Sequence, residues 1–330
     1  MALASSWSSL GSRYVRRLKA LGVLVAASLL LTGAVYFLAP QWLLRAGFAV
    51  QAWGANLDSR SIDVNGLRWI YYEGGTGPTL VLLHGFGGSR QNWVPTARYL
   101  TRNFHVVIPD LPGYGRSSAV PPSDGGIRGE ARLLAGFIDA LRLQHFGLVG
   151  HSLGGAIAGS YAAAHPGKVF GLAFVDSAGL PFPPNAFSRG VLSGHDPFAY
   201  DSRAGLRALL RLLFVKPPRL WPRIEDALVA ENRARLAFLG AVFDRLRTPK
   251  DATALVPLLP KLTMPVLGLW CRDDRIIPPA AMDALRDGLR AAPQIAMTEL
   301  TGCSHMPNME QPRETSQVLT QFYLLPATAH

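Results

Sequence analysis

Residues 150–154 read Gly-His-Ser-Leu-Gly and lie between an apolar run, Phe146–Val149, and a segment of small residues, Leu153–Ala164. A Gly-x-Ser-x-Gly pentapeptide between a strand and a helix is typical of a nucleophile elbow, where a strained turn lifts the serine hydroxyl above the sheet. The glycines are needed because neighbouring backbone comes too close for Cβ atoms. The helix N-terminus also favours developing negative charge. The pattern predicts that Ser152 is a nucleophile.

Acidic residues and a histidine that could serve this serine come later in the chain. Asp274 stands just past an apolar run, Val266–Trp270, and we expect it to orient His305, which would take the serine proton. Asp273 is one residue off, and in an extended or turning segment it would point elsewhere. Asp176, after the preceding strand, is the alternative acid position.

A glycine-rich loop, His84–Gly88, directly follows the apolar run Thr79–Leu83. In the arrangement that a nucleophile elbow requires, such a loop supplies one backbone N–H to an oxyanion hole, and the residue after the nucleophile supplies the other. We expect these donors to be Phe86 and Leu153. The loop lacks a P-loop ending and the full dinucleotide fingerprint, so phosphate binding is not indicated. His84 is expected to brace the loop rather than to act as the base.

Five motifs along the chain carry a family resemblance. They read His-Gly-Phe-Gly-Gly at 84–88, Asp-Leu-Pro-Gly-Tyr-Gly-Arg-Ser at 110–117, Gly-His-Ser-Leu-Gly-Gly at 150–155, Trp-Cys-Arg-Asp-Asp-Arg-Ile-Ile-Pro at 270–278 and Cys-Ser-His-Met-Pro at 303–307. Together they resemble the α/β-hydrolase superfamily over about residues 60–325. One departure is Cys303-Ser304-His305, since the superfamily often has glycine before the histidine.

The resemblance implies a mostly parallel, twisted sheet flanked by helices, with the catalytic residues at loops that follow strands. Within the superfamily, the overall plan looks like membrane-anchored monoacylglycerol lipases and related bacterial lipase/esterases. These proteins also carry an N-terminal hydrophobic segment before a hydrolase domain with a helical cap. The implied catalytic set is Ser152, Asp274 and His305, with no cofactor.

Alternating apolar runs and helical patterns predict the mostly parallel sheet independently. Asn65-Gly66 predicts a tight turn between strands Ser61–Val64 and Leu67–Tyr72, because Asn-Gly is the strongest two-residue hairpin signal. The remaining strands are predicted at 79–83, 104–109, 146–150, 169–175, 265–270 and 295–300.

The alternation breaks between Asp176 and Thr263, which predicts an inserted helical cap over 177–262. Helical patterns are present at Leu206–Phe214, Ile224–Leu239 and around Val242. The hydrolase domain would then consist of 61–176 and 263–330. Most of the cap's aromatic residues should pack it onto this domain, and a minority should line an acyl pocket. These residues are Phe182, Phe187, Phe198, Phe214, Trp221 and Phe238.

The N-terminal segment, residues 1–45, predicts a membrane anchor. Leu21–Leu38 is strongly apolar, and a helix of about 19 residues spans roughly 28 Å, close to the hydrocarbon thickness. The basic flank predicts the N-terminus inside and the catalytic domain extracytoplasmic. A cleaved signal peptide is the competing interpretation, and a monotopic insertion would leave the domain cytoplasmic. Residues 46–60 would form a juxtamembrane helix or linker. The flank comprises Arg13, Arg16, Arg17 and Lys19.

Length, charge and cysteine content constrain the function further. A chain of 330 residues accommodates one large domain with an insertion. The net charge of +11 suits an anionic membrane surface better than nucleic acid, because basic blocks with interleaved aromatics are absent. No Cys/His pattern indicates a metal site. A bridge between Cys271 and Cys303 is geometrically possible, but two buried free thiols are expected.

Ester hydrolysis is the function that these features predict, with a small lipid-like ester, such as a monoacylglycerol, as substrate. A serine at position 152 disfavours the haloalkane dehalogenase and epoxide hydrolase chemistries, which use a carboxylate nucleophile. Two alternatives stay open: a serine-dependent C–C bond hydrolase or cofactor-free haloperoxidase on the same scaffold, and a catalytically idle membrane-bound binding module. The fold alone does not choose the substrate, and the oligomeric state is not indicated.

Overall fold

The structure, a computed structural model, describes residues 4–324. Residues 1–3 of the predicted anchor segment and 325–330 of the predicted hydrolase domain lie outside the described residues. An eight-stranded sheet forms the centre of the fold, in the order β1-β2-β4-β3-β5-β6-β7-β8. The strands are β1 Leu57–Val64, β2 Leu67–Gly74, β3 Thr79–Leu83, β4 His105–Pro109, β5 Phe146–His151, β6 Val169–Val175, β7 Val266–Cys271 and β8 Ile295–Leu300.

All six predicted core strands are present within one residue at each end, and they pair in parallel. The hairpin is also confirmed, with Asn65 and Gly66 both at positive φ. Its first strand begins at Leu57, inside the predicted linker. The residues from Asp58 to Ser61 are exposed on an edge strand, so they lack the apolar alternation that marks a half-buried strand.

Helices cover both faces of the sheet, which is why its central strands are continuous apolar runs. Every residue of β5 is buried, and two apolar clusters form the core, one on each face. The main-domain helices are α3 Val94–Leu100, α4 Ile127–Ala140, α5 Leu153–Ala164, α11 Ala281–Gly288, α12 Pro307–Glu310 and α13 Pro312–Leu324. The consequence is that the loops after β3, β5, β7 and β8 converge at the carboxyl edge of the sheet.

Five helices form the cap between β6 and β7. They are α6 Ala186–Leu192, α7 Arg203–Leu213, α8 Pro222–Arg233, α9 Leu236–Leu246 and α10 Pro249–Ala252. The helical pattern predicted over Ile224–Leu239 is divided between two helices, since α8 ends at Arg233 and α9 begins at Leu236. Asn232 donates its side-chain amide to the carbonyls of Phe198 at 2.9 Å and Tyr200 at 2.8 Å. These bonds hold the end of α8 against the loop that precedes α7.

Two helices precede the sheet, α1 Ala4–Leu38 and α2 Pro40–Gly54. The stretch Tyr14–Leu38 is one helix that is long and apolar enough to cross a membrane, and none of its most apolar window is buried. Helix α2 packs onto the hydrolase domain through buried Ala52. The end of α1 meets the cap, where the Tyr36 and Trp221 rings lie 5.6 Å apart.

Candidate active site

Ser152 lies in a strained turn between β5 and α5, with φ 54° and ψ −121°. Non-glycine residues rarely adopt this conformation, and strain of this kind is found at functional sites. A Cβ atom at Gly150 would collide with the backbone of Gly154, and one at Gly154 would collide with the carbonyls of Leu83 and His84. The two glycines of the pentapeptide are therefore required by close backbone approach, as the sequence predicted.

A hydrogen-bonded row connects the serine, the histidine and one aspartate. His305 Nε2 lies 2.9 Å from Ser152 Oγ, and His305 Nδ1 lies 2.8 Å from Asp274 Oδ2. Asp274 Oδ1 accepts backbone N–H groups from Ile276 at 2.8 Å and Ile277 at 3.1 Å. Because the carboxylate accepts from Nδ1–H, the imidazole keeps Nε2 free to accept the serine proton. The three predicted catalytic residues are thus brought together.

The two other candidate acids occupy different places. Asp273 is exposed. Asp176 is fully buried at the end of β6, and its Oδ1 accepts the Cys271 N–H at 2.9 Å. Burial, and next the charge of Asp274, raises the pKa of Asp176 well above its ordinary value. Asp274, rather than either alternative, holds the histidine.

His151, the last residue of β5, was not singled out by sequence reasoning, yet it contacts the backbone of His305. Its Nε2–H donates to the backbone carbonyl of His305 at 2.6 Å, and the two rings lie 5.0 Å apart. Burial, and next the proximity of His305, lowers the pKa of His151 to about 3, so this imidazole stays neutral. Position within the pentapeptide was the only sequence signal, and it did not indicate this contact.

The loop after β3 is held in place by its histidine, as expected. His84 Nδ1–H donates to the Gly85 carbonyl at 2.8 Å, while Nε2 accepts the Leu111 N–H at 3.0 Å. Phe86 lies in the same loop and lines the cavity next to Ser152. Leu153 is the first residue of α5, so its N–H has no carbonyl partner within that helix. Both residues expected to donate to an oxyanion hole therefore line the cavity at Ser152.

A disulfide joins Cys271 and Cys303. The expectation of two free thiols is wrong. Cys271 is paired with Leu300 across the parallel strands β7 and β8, so the loop after β8 brings Cys303 to the end of β7. Residue-type burial statistics do not take this register into account. The bridge links the loop that carries the acid to the loop that carries the histidine.

An apolar cavity of about 390 Å³ opens at Ser152 between the sheet edge and the cap. The cap aromatics Phe182, Phe187 and Phe198 line it, whereas Trp221 is mostly exposed and faces the end of α1. The cavity's further apolar lining comes from Phe86, Ile127, Leu153, Leu180, Val191, Leu192, Phe243, Leu246, Ile276 and Ile277. A few polar side chains also reach it, and these are Ser188, Arg247, Asp251 and Thr253.

The chemistry available here is transfer of the Ser152 hydroxyl proton to His305 Nε2. Among residues 4–324, no group of three or more His, Cys, Asp or Glu side chains is arranged to hold a metal ion. The polar groups of the row are instead bonded to one another and to the backbone. A serine hydroxyl within hydrogen-bond reach of a histidine that is itself oriented by a carboxylate is the arrangement that nucleophilic catalysis requires.

Comparison with known proteins decides the family. A model of the alpha/beta hydrolase family matches residues 80–318, which is most of the chain and includes Ser152, Asp274 and His305. The chain belongs to the α/β-hydrolase family.

Three similar α/β-hydrolases are named as lipases or a phospholipase. Monoacylglycerol lipase abhd6-A of Xenopus laevis is 28% identical over 262 residues, covering 75% of this chain and 76% of its own. Lipase 1 of Psychrobacter immobilis is 29% identical over 275 residues, covering 79% and 83%. The crystal structure of a membrane phospholipase A, described as a bacterial virulence factor, has a TM-score of 0.81 and 34% identity, and the match covers 93% of this chain and 97% of that one. This α/β-hydrolase is a carboxylic ester hydrolase.

Proposed function

We propose that this α/β-hydrolase cleaves lipid esters of the monoacylglycerol type at a membrane, through an acyl-enzyme on Ser152. The observation that carries the proposal is the Ser152–His305–Asp274 row at the mouth of an apolar cavity. Relatives that are named monoacylglycerol lipase and lipase support the substrate class.

The first half-reaction uses the row as a proton relay to the leaving group. His305 Nε2 takes the Ser152 hydroxyl proton while Oγ attacks the ester carbonyl carbon, which forms a tetrahedral intermediate. The intermediate collapses to the acyl-enzyme, and the imidazolium gives its proton to the departing alcohol. Water then repeats the sequence on the acyl carbonyl and releases the fatty acid. Asp274 holds the imidazole orientation and stabilises its positive charge throughout.

The backbone N–H groups of Phe86 and Leu153 supply the oxyanion hole in this proposal. Leu153 directly follows Ser152 in the chain, and both Phe86 and Leu153 line the cavity where the ester carbonyl would lie. One such donor contributes about 10²- to 10³-fold to kcat in a serine hydrolase. The His84 contacts with Gly85 and Leu111 keep the Phe86 loop in this shape before substrate arrives.

The cavity supports an ester with a single acyl chain. A volume of about 390 Å³ is at the smaller end of the range for ligand pockets, so one hydrocarbon chain is a better match than two. Each buried methylene group of that chain contributes about 0.8 kcal/mol to binding. The polar side chains Arg247 and Asp251 reach the same cavity and provide hydrogen-bonding groups for the alcohol part.

The membrane placement in the proposal follows from α1 and its surroundings. The basic residues Arg16, Arg17 and Lys19 precede the apolar stretch, which favours an inside N-terminus and an extracytoplasmic hydrolase domain. The disulfide supports the same orientation, because such bonds persist in oxidising compartments. Contact of the cap with the end of α1, through Trp221 and Tyr36, keeps the cap close to the bilayer.

An acyl-chain series on the full-length, detergent-solubilised protein tests the substrate class. We expect kcat/KM to rise from short to longer single-chain esters until the acyl chain fills the cavity. Diacyl esters should be poorer substrates. Control reactions use amides with the same acyl chains and a substrate that would be cleaved at a C–C bond. Equal rates for one-chain and two-chain esters, or faster C–C cleavage than ester cleavage, would overturn the proposed substrate class.

A further inference from the structure

The carboxyl group of Asp176 is buried beside the proposed acid of the catalytic row. Asp176 has no exposed surface, and its backbone N–H bonds to Leu269 O at 3.0 Å at the end of β6. Its Oδ1 accepts the Cys271 N–H at 2.9 Å. The Cys271 carbonyl in turn accepts the Asp274 N–H at 3.2 Å. The same turn therefore holds both residues, and burial, the charge of Asp274 and a side-chain hydrogen bond with Asp274 raise the pKa of Asp176.

The second carboxyl oxygen of Asp176, Oδ2, would be a buried charged atom without a hydrogen-bond partner if the group were ionised. Within residues 4–324, Asp176 Oδ2 accepts no hydrogen bond, although it is shielded from solvent. A buried polar atom without a partner is rare, and a buried charge without a partner is rarer still. A proton on Oδ2 removes this difficulty, because it makes that atom a donor toward the neighbouring carboxylate.

Two adjacent buried carboxyl groups cannot both be ionised, so one of them holds a proton. Asp274 accepts three N–H groups, from Ile276, Ile277 and His305, and each of them stabilises its negative charge. Asp176 accepts one. The count of donors therefore assigns the negative charge to Asp274 and the proton to Asp176.

We propose that Asp176 is a positioning residue that keeps its proton and donates it in a hydrogen bond to the Asp274 carboxylate. The acid of the catalytic row is then a pair of carboxyl groups rather than a single aspartate. This inference rests on the proposed role of Asp274. The bond supplies a further donor to a buried charge and fixes the carboxylate orientation that His305 needs.

An isosteric replacement of Asp176 distinguishes a protonated from an ionised side chain, because the two states predict opposite effects. In Asp176→Asn, the amide oxygen can accept the Cys271 N–H while the NH₂ group donates to Asp274, so the arrangement is preserved. If Asp176 were ionised instead, the same change would remove a negative charge near the base. The other titratable groups around the pair are His305 and, behind it, His151, which stays neutral.

The test measures the pH dependence of kcat and kcat/KM for a soluble ester with the full-length protein in detergent. For Asp176→Asn, kcat is expected within about 3-fold of wild type, and the acidic limb of the kcat/KM profile, which reports the base, stays in place. For Asp176→Ala, the loss of a hydrogen bond to a charged group lowers kcat by about 10- to 100-fold. KM is expected to stay unchanged, because the defect lies in the orientation of His305.

Infrared spectroscopy provides a readout that does not depend on activity. The C=O stretching band of a protonated carboxyl group is expected in wild type and should lose one component in Asp176→Asn. Glu130, a second buried carboxyl whose pKa is raised by burial and then by Asp124, serves as control, since Glu130→Gln should remove a different component.

The outcomes separate this inference from the proposed function. An acidic limb that moves to lower pH in Asp176→Asn, or an unchanged protonated-carboxyl band, would overturn the proton assignment. Wild-type kcat in a folded Asp176→Ala protein would overturn the positioning role. If Asp176→Ala does not fold, the Asp176→Asn profile and the infrared band decide. Failure of the proposed function would be seen elsewhere, as full activity in Ser152→Ala.

Discussion

The catalytic centre and the cap are built in contrasting ways. At the centre, polar side chains are buried and meet defined partners, as in the 2.8 Å contact of His305 with Asp274 and the 2.6 Å contact of His151 with the His305 carbonyl. Around the cavity the cap meets the main domain through aromatic rings instead, such as Phe198 against Phe86 at 5.1 Å, although hydrogen bonds such as those from Arg245 to the carbonyls of Pro122 and Ser123 join the two farther out. Hydrogen bonds are directional, whereas apolar packing depends mainly on shape and buried area.

This difference separates the chemistry from the choice of substrate. A change in the centre should affect every ester alike, because all substrates use the same row. A change in the cap should alter which acyl chains are preferred, and a change in α1 should alter access to lipid in a bilayer. The predictions below test this division, from the largest expected effect to the smallest.

The largest effect is expected for Ser152→Ala. Turnover of all esters should fall on the order of 10⁴- to 10⁶-fold, because the nucleophile and its base act as a unit. Initial rates on a short and a long ester measure this. Ser160→Ala, eight residues along α5, is the matched control and should retain activity. Comparable rates in folded Ser152→Ala would remove the hydrolase activity from this site.

Asp274→Asn is expected to lower kcat on the order of 10⁴-fold, because an amide favours the wrong imidazole tautomer. Asp273→Asn is the control, since that side chain is exposed, and its kcat should stay near wild type. A reversed ranking of these two variants in steady-state assays, or a crippling effect confined to Asp176→Asn, would show that the acid is wrongly assigned.

Removal of residues 1–38 tests the division between anchor and domain. The shortened protein should leave the membrane fraction after carbonate extraction, because α1 is the candidate span among the described residues. Turnover of bilayer-embedded acylglycerol should fall on the order of 10²-fold, since anchoring raises the effective concentration of enzyme at the lipid. Turnover of a soluble short-chain ester should persist.

Two results would contradict the anchoring argument. Equal losses on both substrates would mean that α1 is needed for folding rather than for access. Full-length protein that washes off with carbonate would mean that the segment is cleaved or only bound to the surface.

The smallest effect is expected for the cap. Phe198→Ala removes an aromatic ring from the cavity wall and should lower the preference for long over short acyl chains by about 10-fold in kcat/KM, the size of effect that hydrophobic-pocket changes produce. Trp221→Ala is the control, because this ring is 67% exposed and faces α1. A general loss of activity in Phe198→Ala with unchanged acyl-chain preference would contradict the claim that the cap selects the acyl chain and the catalytic centre affects all esters alike.

The sheet and the positions of its loops were predictable from sequence because parallel strands are continuous apolar runs whose carboxyl ends meet at one edge. The motifs that follow these strands, together with the family resemblance, predicted that Ser152, Asp274 and His305 act together, and their catalytic roles stay predictions. The β1 edge strand was partly missed, since its residues are exposed and do not alternate.

Contacts that depend on three-dimensional proximity were not predictable. The His151–His305 bond spans 154 residues of chain, and the Cys271–Cys303 bridge depends on the register of β7 and β8. At the break between α8 and α9, Asn232 donates to the carbonyls of Phe198 and Tyr200, more than 30 residues earlier in the chain. In each case the local sequence is compatible with more than one arrangement, and tertiary packing selects between them.

Mapping the covalent adduct of a fluorophosphonate on the full-length protein tests the central claim most directly. The account predicts one phosphonylated peptide, the one that contains Ser152, with labelling slowed by a long single-chain ester and absent in Ser152→Ala. Labelling of another residue, or undiminished labelling of Ser152→Ala, would contradict the claim that this protein works through an acyl-enzyme on Ser152.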